Sequence, residues 1–191
     1  MKHFIVISAP SGSGKTTLCR ALQNKIDGLN FSISWTTRPI RHYEMSGYDY
    51  NFISAEEFQN YISNDDFAEY QDVHGFMYGT PQSVLDDAIA NGEMLLLELD
   101  VKGALKIKSR YPDDTISIFI MPPSIEALKE RLRKRGADSE IRIGKRMERL
   151  EMELSFRDRF DYEVVNDDLD RALKELSKII EKENKGVKYV S

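Results

Sequence analysis

An apolar run, Phe4-Ile5-Val6-Ile7, leads directly into Ser8-Ala9-Pro10-Ser11-Gly12-Ser13-Gly14-Lys15-Thr16 and then into a segment of helical character, Thr17 to Ile26. This stretch constrains the fold more than any other, because a strand that turns into a helix within a few residues needs backbone conformations that glycine adopts most readily. Gly12 and Gly14 let successive N–H groups point inward, and the helix N-terminus adds its partial positive charge. Such a loop can cradle phosphate oxygens. Lys15 would then reach the outer phosphates of a nucleoside triphosphate, and the Thr16 hydroxyl would sit on Mg²⁺. Ala9 stands where the strict pattern has glycine, and alanine is the smallest replacement. An ordinary glycine-rich turn would require neither the Lys-Thr pair nor its spacing.

The rest of the chain alternates strand-length apolar runs with helical patterns. Strands are expected at 4–8, about 31–34, 94–99, 115–120 and 162–165. Helices are expected at 15–26, 55–63, 82–91, 101–110, 124–135, 139–158 and 168–184. The runs at 94–99 and 115–120 are almost continuously apolar, as strands covered on both faces are. The expected fold class is therefore α/β, a parallel sheet of the P-loop type flanked by helices. Between about 34 and 81 the pattern changes to short β-like pieces around one helix, which reads as an inserted mixed lobe. Residues 131–149 carry eight basic and three acidic side chains and read as a second, helical appendage. The 191 residues then divide into a core (1–33, 82–123 and 159–191), a lobe at 34–81 and a lid at 124–158.

Two stretches of the inserted lobe carry chemistry. In Ser34-Trp35-Thr36-Thr37-Arg38-Pro39-Ile40-Arg41, two arginines stand three apart, with Glu44, Gly47, Asp49 and Tyr50 close behind. Two guanidinium forks aimed at one point can grip a dianionic phosphate, with the Tyr50 hydroxyl as a further donor. A solvated Arg/Glu turn is the competing reading of the same residues. The second stretch offers a carboxylate (Glu69), a phenol (Tyr78) and a hydroxyl (Thr80). A carboxylate only accepts, so it suits the adjacent N1–H and 2-amino donors of guanine, and a hydroxyl can donate to O6. Adenine presents the opposite pattern and would leave Glu69 unpaired.

Taken in order, these stretches resemble the guanylate kinases from Ile5 to about Ile180. The matching segments are Ser8 to Lys15, Ser34 to Arg41, Gly47-x-Asp49-Tyr50-x-Phe52, Glu69 and Tyr78-Gly79-Thr80-Pro81. They continue through Leu97-Glu98-Leu99-Asp100-Val101-Lys102-Gly103, Pro122-Pro123-Ser124, Arg131-x-x-x-Arg135-Gly136, Asp138-Ser139-Glu140, Arg146 and Val165-Asn166-Asp167-Asp168. The resemblance implies transfer of a phosphoryl group from MgATP to GMP, and to dGMP, with Mg²⁺ as the cofactor. It implies that Ala9, Pro10, Ser11, Gly12, Ser13, Gly14, Lys15, Thr16, Thr17 and Asn166 bind ATP, with Asn166 near the adenine. Ser34, Glu69 and Thr80 would read guanine, while Arg38, Arg41, Tyr50 and Tyr78 would hold the GMP phosphate. Asp100 would stand near both GMP and the Mg²⁺ hydration shell, and Thr16 on the metal itself. Lys15, Arg38, Arg131, Arg135 and Arg146 would carry catalysis, the last three from the lid. Two positions depart from the family pattern, Tyr43 for a usual glycine and Asn51 for a common aromatic. His42-Tyr43-Glu44 is closer to the turn of scaffold-protein domains that bind peptides, but those domains have typically lost the P-loop kept here.

Composition narrows the alternatives. A net charge of −5 argues against a basic nucleic-acid-binding domain, and no apolar run approaches the length of a membrane span. There is no signal-peptide pattern, and the single Cys19 cannot form an intrachain disulfide, so a reducing, cytoplasmic location is expected. His3, His42 and His74 lack metal-ligand spacing. Two rival readings remain at this stage, a non-catalytic binding module and a P-loop kinase for another phosphorylated acceptor such as a sugar phosphate. Partners beyond small-molecule substrates are not expected, and oligomeric state is not legible.

Overall fold

The computed structural model describes residues 1–10, 12–73, 75–126, 128 and 150–190. The chain begins with β1 (Phe4–Ser8), α1 (Lys15–Lys25) and β2 (Leu29–Phe31). A second group follows, comprising β3 (Trp35–Thr36), β4 (Asn51–Phe52), α2 (Ala55–Ser63), β5 (Phe67–Val73) and β6 (Phe76–Pro81). The chain continues through α3 (Gln82–Asn91), β7 (Met94–Glu98), α4 (Val101–Arg110) and β8 (Thr115–Met121). After a 3-10 turn at Arg157–Arg159 come β9 (Tyr162–Val165) and α5 (Leu169–Glu183).

The first sheet has the order β2-β7-β1-β8-β9, and every pairing in it is parallel. Helices cover both faces, so alternate residues of each strand bury into different cores. Ile5, Ile7, Leu96, Ile118 and Ile120 pack with Leu18, Leu22, Leu176 and Ile180 of α1 and α5. Phe4, Val6, Leu95, Leu97 and Phe119 pack instead with Leu85, Ala104 and Ile107 of α3 and α4. This two-sided burial is the physical reason the strands read as unbroken apolar runs. Because all five strands run the same way, their carboxyl ends meet along one edge, where open α/β sheets place their ligands.

The second sheet is mixed, with order β4-β3-β6-β5. The β3–β4 pair is parallel, while β3–β6 and β5–β6 are antiparallel. Its packing is aromatic: Phe58 of α2 stacks on Phe67 at 4.4 Å, and Trp35 meets Tyr61 edge-on at 4.6 Å. A reciprocal capping box of Ser54 and Glu57 starts α2.

Several expected boundaries shift. The strand expected at about 31–34 is instead the crossing point between the two sheets. Leu29–Phe31 pairs with β7, Ser32 donates a last rung to the Leu96 carbonyl at 2.9 Å, and Trp35–Thr36 already belongs to the second sheet. The strand expected to run to 99 ends at Glu98. Helix α5 starts at Leu169, because the Asp168 side chain accepts from the Arg171 N–H and caps it. Much of the helices expected at 124–135 and 139–158 falls outside the described residues. Where the second is described, it leaves the α conformation after 154 and passes through a turn into Arg157–Arg159, so it does not continue to 158.

Candidate active site

The loop after β1 occupies the strand-end edge. Gly12 and Gly14 have φ of 92° and 84°, the left-handed conformation expected of them. A side chain at Gly14 would also lie 2.7 Å from the Asn166 amide nitrogen. That amide donates to the Ser13 carbonyl at 2.7 Å, so the end of β9 tethers the loop from beneath. Helix α1 has no side-chain cap and no acidic residue in its first turn, which leaves its N-terminal N–H groups directed at the cleft. Lys15 Nζ donates to the Leu99 carbonyl at 2.7 Å, and the Thr16 hydroxyl donates to Glu98 Oε1 at 2.5 Å. Both partners lie at or just beyond the end of β7. Ser11 lies outside the described residues.

Opposite this loop, β5 and β6 bring Glu69 and Thr80 together. The Thr80 hydroxyl donates to Glu69 Oε1 at 2.8 Å, and the Glu69 residue is only 5% exposed. Burial pushes the Glu69 carboxyl up to about 7, with nearby Asp100 acting the same way and the Thr80 bond opposing. Asp100 caps α4, accepting from the Gly103 N–H at 2.8 Å. Ser34, Tyr50, Glu69, Tyr78 and Asp100 all line the same cleft as Lys15 and Thr16, a space of about 430 Å³.

The two arginines of the 34–41 segment are arranged less simply than expected. They meet at one point, and that point is the carboxylate of Glu44. Arg38 donates to both its oxygens, at 3.0 and 2.7 Å, and Arg41 adds its backbone N–H at 2.8 Å. The Arg38 Nε donates to the Tyr78 hydroxyl at 3.0 Å, and its guanidinium lies 5.5 Å from the Tyr50 ring centre. Arg38 is buried, whereas the Arg41 side chain is 57% exposed and donates to the Tyr43 hydroxyl at 3.0 Å. Tyr43 therefore has a local partner, and Asn51 sits in the β3–β4 ladder, donating its N–H to Ser34 at 3.0 Å.

A phosphate-type loop and a buried acceptor–hydroxyl pair thus face each other across one cleft. The family profile described as guanylate kinase matches residues 1–183. The chain belongs to the guanylate kinase family. It is 43% identical over 187 residues to the guanylate kinase of Carboxydothermus hydrogenoformans, covering 98% of this chain and 91% of that one. It is 46% identical over 181 residues to the guanylate kinase of Synechocystis sp., covering 95% and 94%. The crystal structure of guanylate kinase from Anaplasma phagocytophilum matches with a TM-score of 0.77 at 33% identity, over 95% of this chain and 86% of that one. As a guanylate kinase, the chain is an ATP:GMP phosphotransferase with the P-loop nucleotide-kinase fold.

The guanylate kinase cleft also contains residues that sequence reading passed over. Glu98, which accepts the Thr16 hydroxyl, is signalled in the sequence only as a lone carboxylate ending an apolar strand. Arg20, one helical turn beyond Thr16 on α1, lines the cleft and lies over the Phe31 and Tyr48 rings at 4.3 and 4.7 Å. Glu153, buried in the helical stretch at 150–154, lines it too, and nothing in the local sequence marks it. Arg131, Arg135 and Arg146, expected to act from a lid, lie outside the described residues.

Proposed function

We propose that the two halves of the cleft divide the substrates, with MgATP on the loop of residues 9–17 and GMP against Ser34, Tyr50, Glu69, Tyr78 and Thr80. The observation that carries this reading is the continuity of the cleft, which lines Lys15 and Glu69 with one space. Two phosphate-bearing substrates held there would have their reacting groups within reach of one another. Glu69 would accept from guanine N1–H and the 2-amino group. The Thr80 hydroxyl donates its hydrogen bond to Glu69, so its part is to aim that carboxylate, and Ser34 is the hydroxyl left to meet O6.

The phosphate of GMP has its second pKa near 6, so its attacking oxygen needs no general base at neutral pH. That oxygen attacks the γ-phosphorus, the bond to the bridging oxygen breaks, and ADP departs with the electron pair. Lys15 would stabilise charge on the transferring group, with the loop N–H groups orienting the phosphates. Arg38, Arg41 and the lid arginines Arg131, Arg135 and Arg146 would offset repulsion between the two anions. Asn166 would serve the ATP side through its hold on Ser13.

Mg²⁺ suits the donors present. Thr16, Glu98 and Asp100 offer hard oxygen atoms along one wall of the cleft. No group of three or more His, Cys, Asp or Glu side chains able to hold a metal by itself occurs among the described residues, which fits an ion that takes its other ligands from phosphate and water. Bound there, Mg²⁺ would neutralise charge on the β- and γ-phosphates.

The reading extends to dGMP, since the assigned contacts fall on base and phosphate and none on the sugar. It also includes a cytoplasmic location, where the single, buried Cys19 would stay reduced. Measuring ADP release with MgATP and GMP, dGMP, AMP, UMP or ribose 5-phosphate tests the division of substrates. Turnover with the two guanine nucleotides alone is expected, and equal turnover with ribose 5-phosphate would overturn the base-reading role of Glu69.

A further inference from the structure

Helix α4 carries a glycine within its first turn, where almost any other residue would favour the helix more. Gly103 is fully inside the fold, packed beneath β5. Its backbone is ordinary for a helix, so conformational freedom does not explain it. Space does. A Cβ built at Gly103 would fall 2.6 Å from Glu69 Oε2 and 3.2 Å from Asp100 Oδ1. The first distance is shorter than any tolerable carbon–oxygen contact, so the carboxylate could not stay where it is. Nor is it free to swing aside at no cost, because its other oxygen accepts the Thr80 hydroxyl at 2.8 Å and the residue is almost closed to solvent.

The same helix shapes the rest of that carboxylate's surroundings. Asp100 is turned back onto the Gly103 N–H and thereby fixed beside Glu69. One turn on, Lys106 donates to the Tyr70 carbonyl at 3.3 Å, so its positive charge is held next to the strand that bears Glu69.

We propose that Gly103 is a specificity-determining residue: by carrying no side chain, it leaves the Glu69 carboxylate the space from which it can accept the two donors of guanine. Gly103 touches no substrate itself and is a positioning residue acting through Glu69. The inference rests on the reading of Glu69 as the guanine acceptor. Glu69→Ala in the otherwise native chain tests that reading separately, since it should raise the KM for GMP while leaving that for ATP unchanged.

The test of Gly103 is a double-mutant cycle read in steady-state kinetics. Gly103→Ala is expected to raise the KM for GMP roughly 10- to 100-fold, the scale of a lost hydrogen bond to a charged group, with the KM for ATP unchanged. The preference for GMP over IMP, which lacks the 2-amino group, should shrink by a similar factor. In the Glu69→Ala background there is no carboxylate to displace, and Gly103→Ala should then change the KM for GMP less than about twofold. The same increase in both backgrounds overturns the proposal. The added methyl forces a buried carboxylate to move, and that overpacking outweighs alanine's better helix propensity, so the variant should also melt somewhat lower than the native chain while ATP binding stays intact. A lower melting temperature with ATP and GMP weakened alike would mean that Gly103 serves only packing, and would also overturn it.

Discussion

Arg38 and Glu44 form a closed, two-pronged ion pair, with hydrogen bonds of 3.0 and 2.7 Å and side chains only 9% and 7% exposed. The bonds to Glu44 raise the Arg38 pKa further, and Arg38 in turn holds the Glu44 carboxyl below its ordinary range. Arg38 is therefore a charge already oriented before substrate arrives, with its Nε on Tyr78. Lysine cannot reproduce a planar fork. Arg38→Lys should accordingly lower kcat/KM for GMP by at least about tenfold while the fold is retained. Glu44→Ala should raise the KM for GMP even though Glu44 touches no assigned substrate atom, because the guanidinium loses its anchor. Initial rates with varied GMP at saturating MgATP check both, and a Glu44→Ala enzyme with native KM would remove Glu44 from the site's architecture.

The parts of this structure that were readable in advance are those set by local chemistry. Gly12, Gly14, Lys15 and Thr16 declare their loop because few other residues could follow a buried strand in that order. The alternation of Ile5 and Ile7 with Phe4 and Val6 sends side chains to two cores, and an unbroken apolar run is its visible trace. What stayed hidden depends on partners distant in sequence. Nothing near Ser32 marks it as the point where the chain leaves one sheet for the other. The carboxylate that meets Arg38 is six residues away, but its fork geometry exists only in the folded loop. Asn166, assigned near the adenine by resemblance, bonds a carbonyl 153 residues earlier in the chain.

The buried Glu69 carboxyl gives the enzyme a pH signature. With its pKa pushed up to about 7 by burial, it loses its charge as the pH falls through neutrality. A protonated carboxyl offers one acceptor fewer to guanine, so the KM for GMP should rise below pH 7 while the KM for ATP stays nearly flat. The sign for stability is the reverse of the usual carboxylate. The folded state binds this proton more tightly than the unfolded chain, where the ordinary value is 4.5, so stability from this group is present below that value and lost as the pH rises to about 7. At pH 8 the charged carboxylate should cost as much as about 3 kcal/mol. Glu69→Gln should then melt above the native chain at pH 8, with the gain disappearing near pH 4.5, and should flatten the pH profile of the KM for GMP. A native-like profile in that variant would assign the titration to another group.

Asn166 offers a choice between two roles that kinetics can separate. Its amide donates to Ser13 at 2.7 Å and fills the space that the missing Gly14 side chain leaves. If its work is to hold the phosphate loop, Asn166→Ala should raise the KM for ATP, GTP and ITP by the same factor, roughly 10-fold or more. Asn166→Asp should be worse, since it sets a carboxylate against a carbonyl and beside the phosphates. A change confined to the preference for ATP over GTP would instead place Asn166 at the base.

Arg20 joins the helix that follows the phosphate loop to the lobe assigned to GMP. Its guanidinium is sandwiched between Phe31, at the end of β2, and Tyr48. It also donates to the Tyr48 carbonyl at 3.3 Å and stands 4.0 Å from Asp49. Each contact is partly exposed, and a cation–π contact of that kind contributes about 0.5–1 kcal/mol. Their importance lies in what they connect, because Arg20 shares α1 with Lys15 and Thr16 while Tyr48 and Asp49 sit just before Tyr50. Loosening the joint should let the two halves of the cleft misalign, so Arg20→Gln should lower kcat/KM for GMP several-fold with little change in melting temperature. Arg20→Lys keeps the charge but loses the flat stacking surface, and should fall between the two. The decisive measurement is the cycle with Tyr48→Leu: if the rings and the guanidinium act as one joint, the double variant should be no slower than the worse of the two single ones, whereas additive losses would mean that each side chain acts alone.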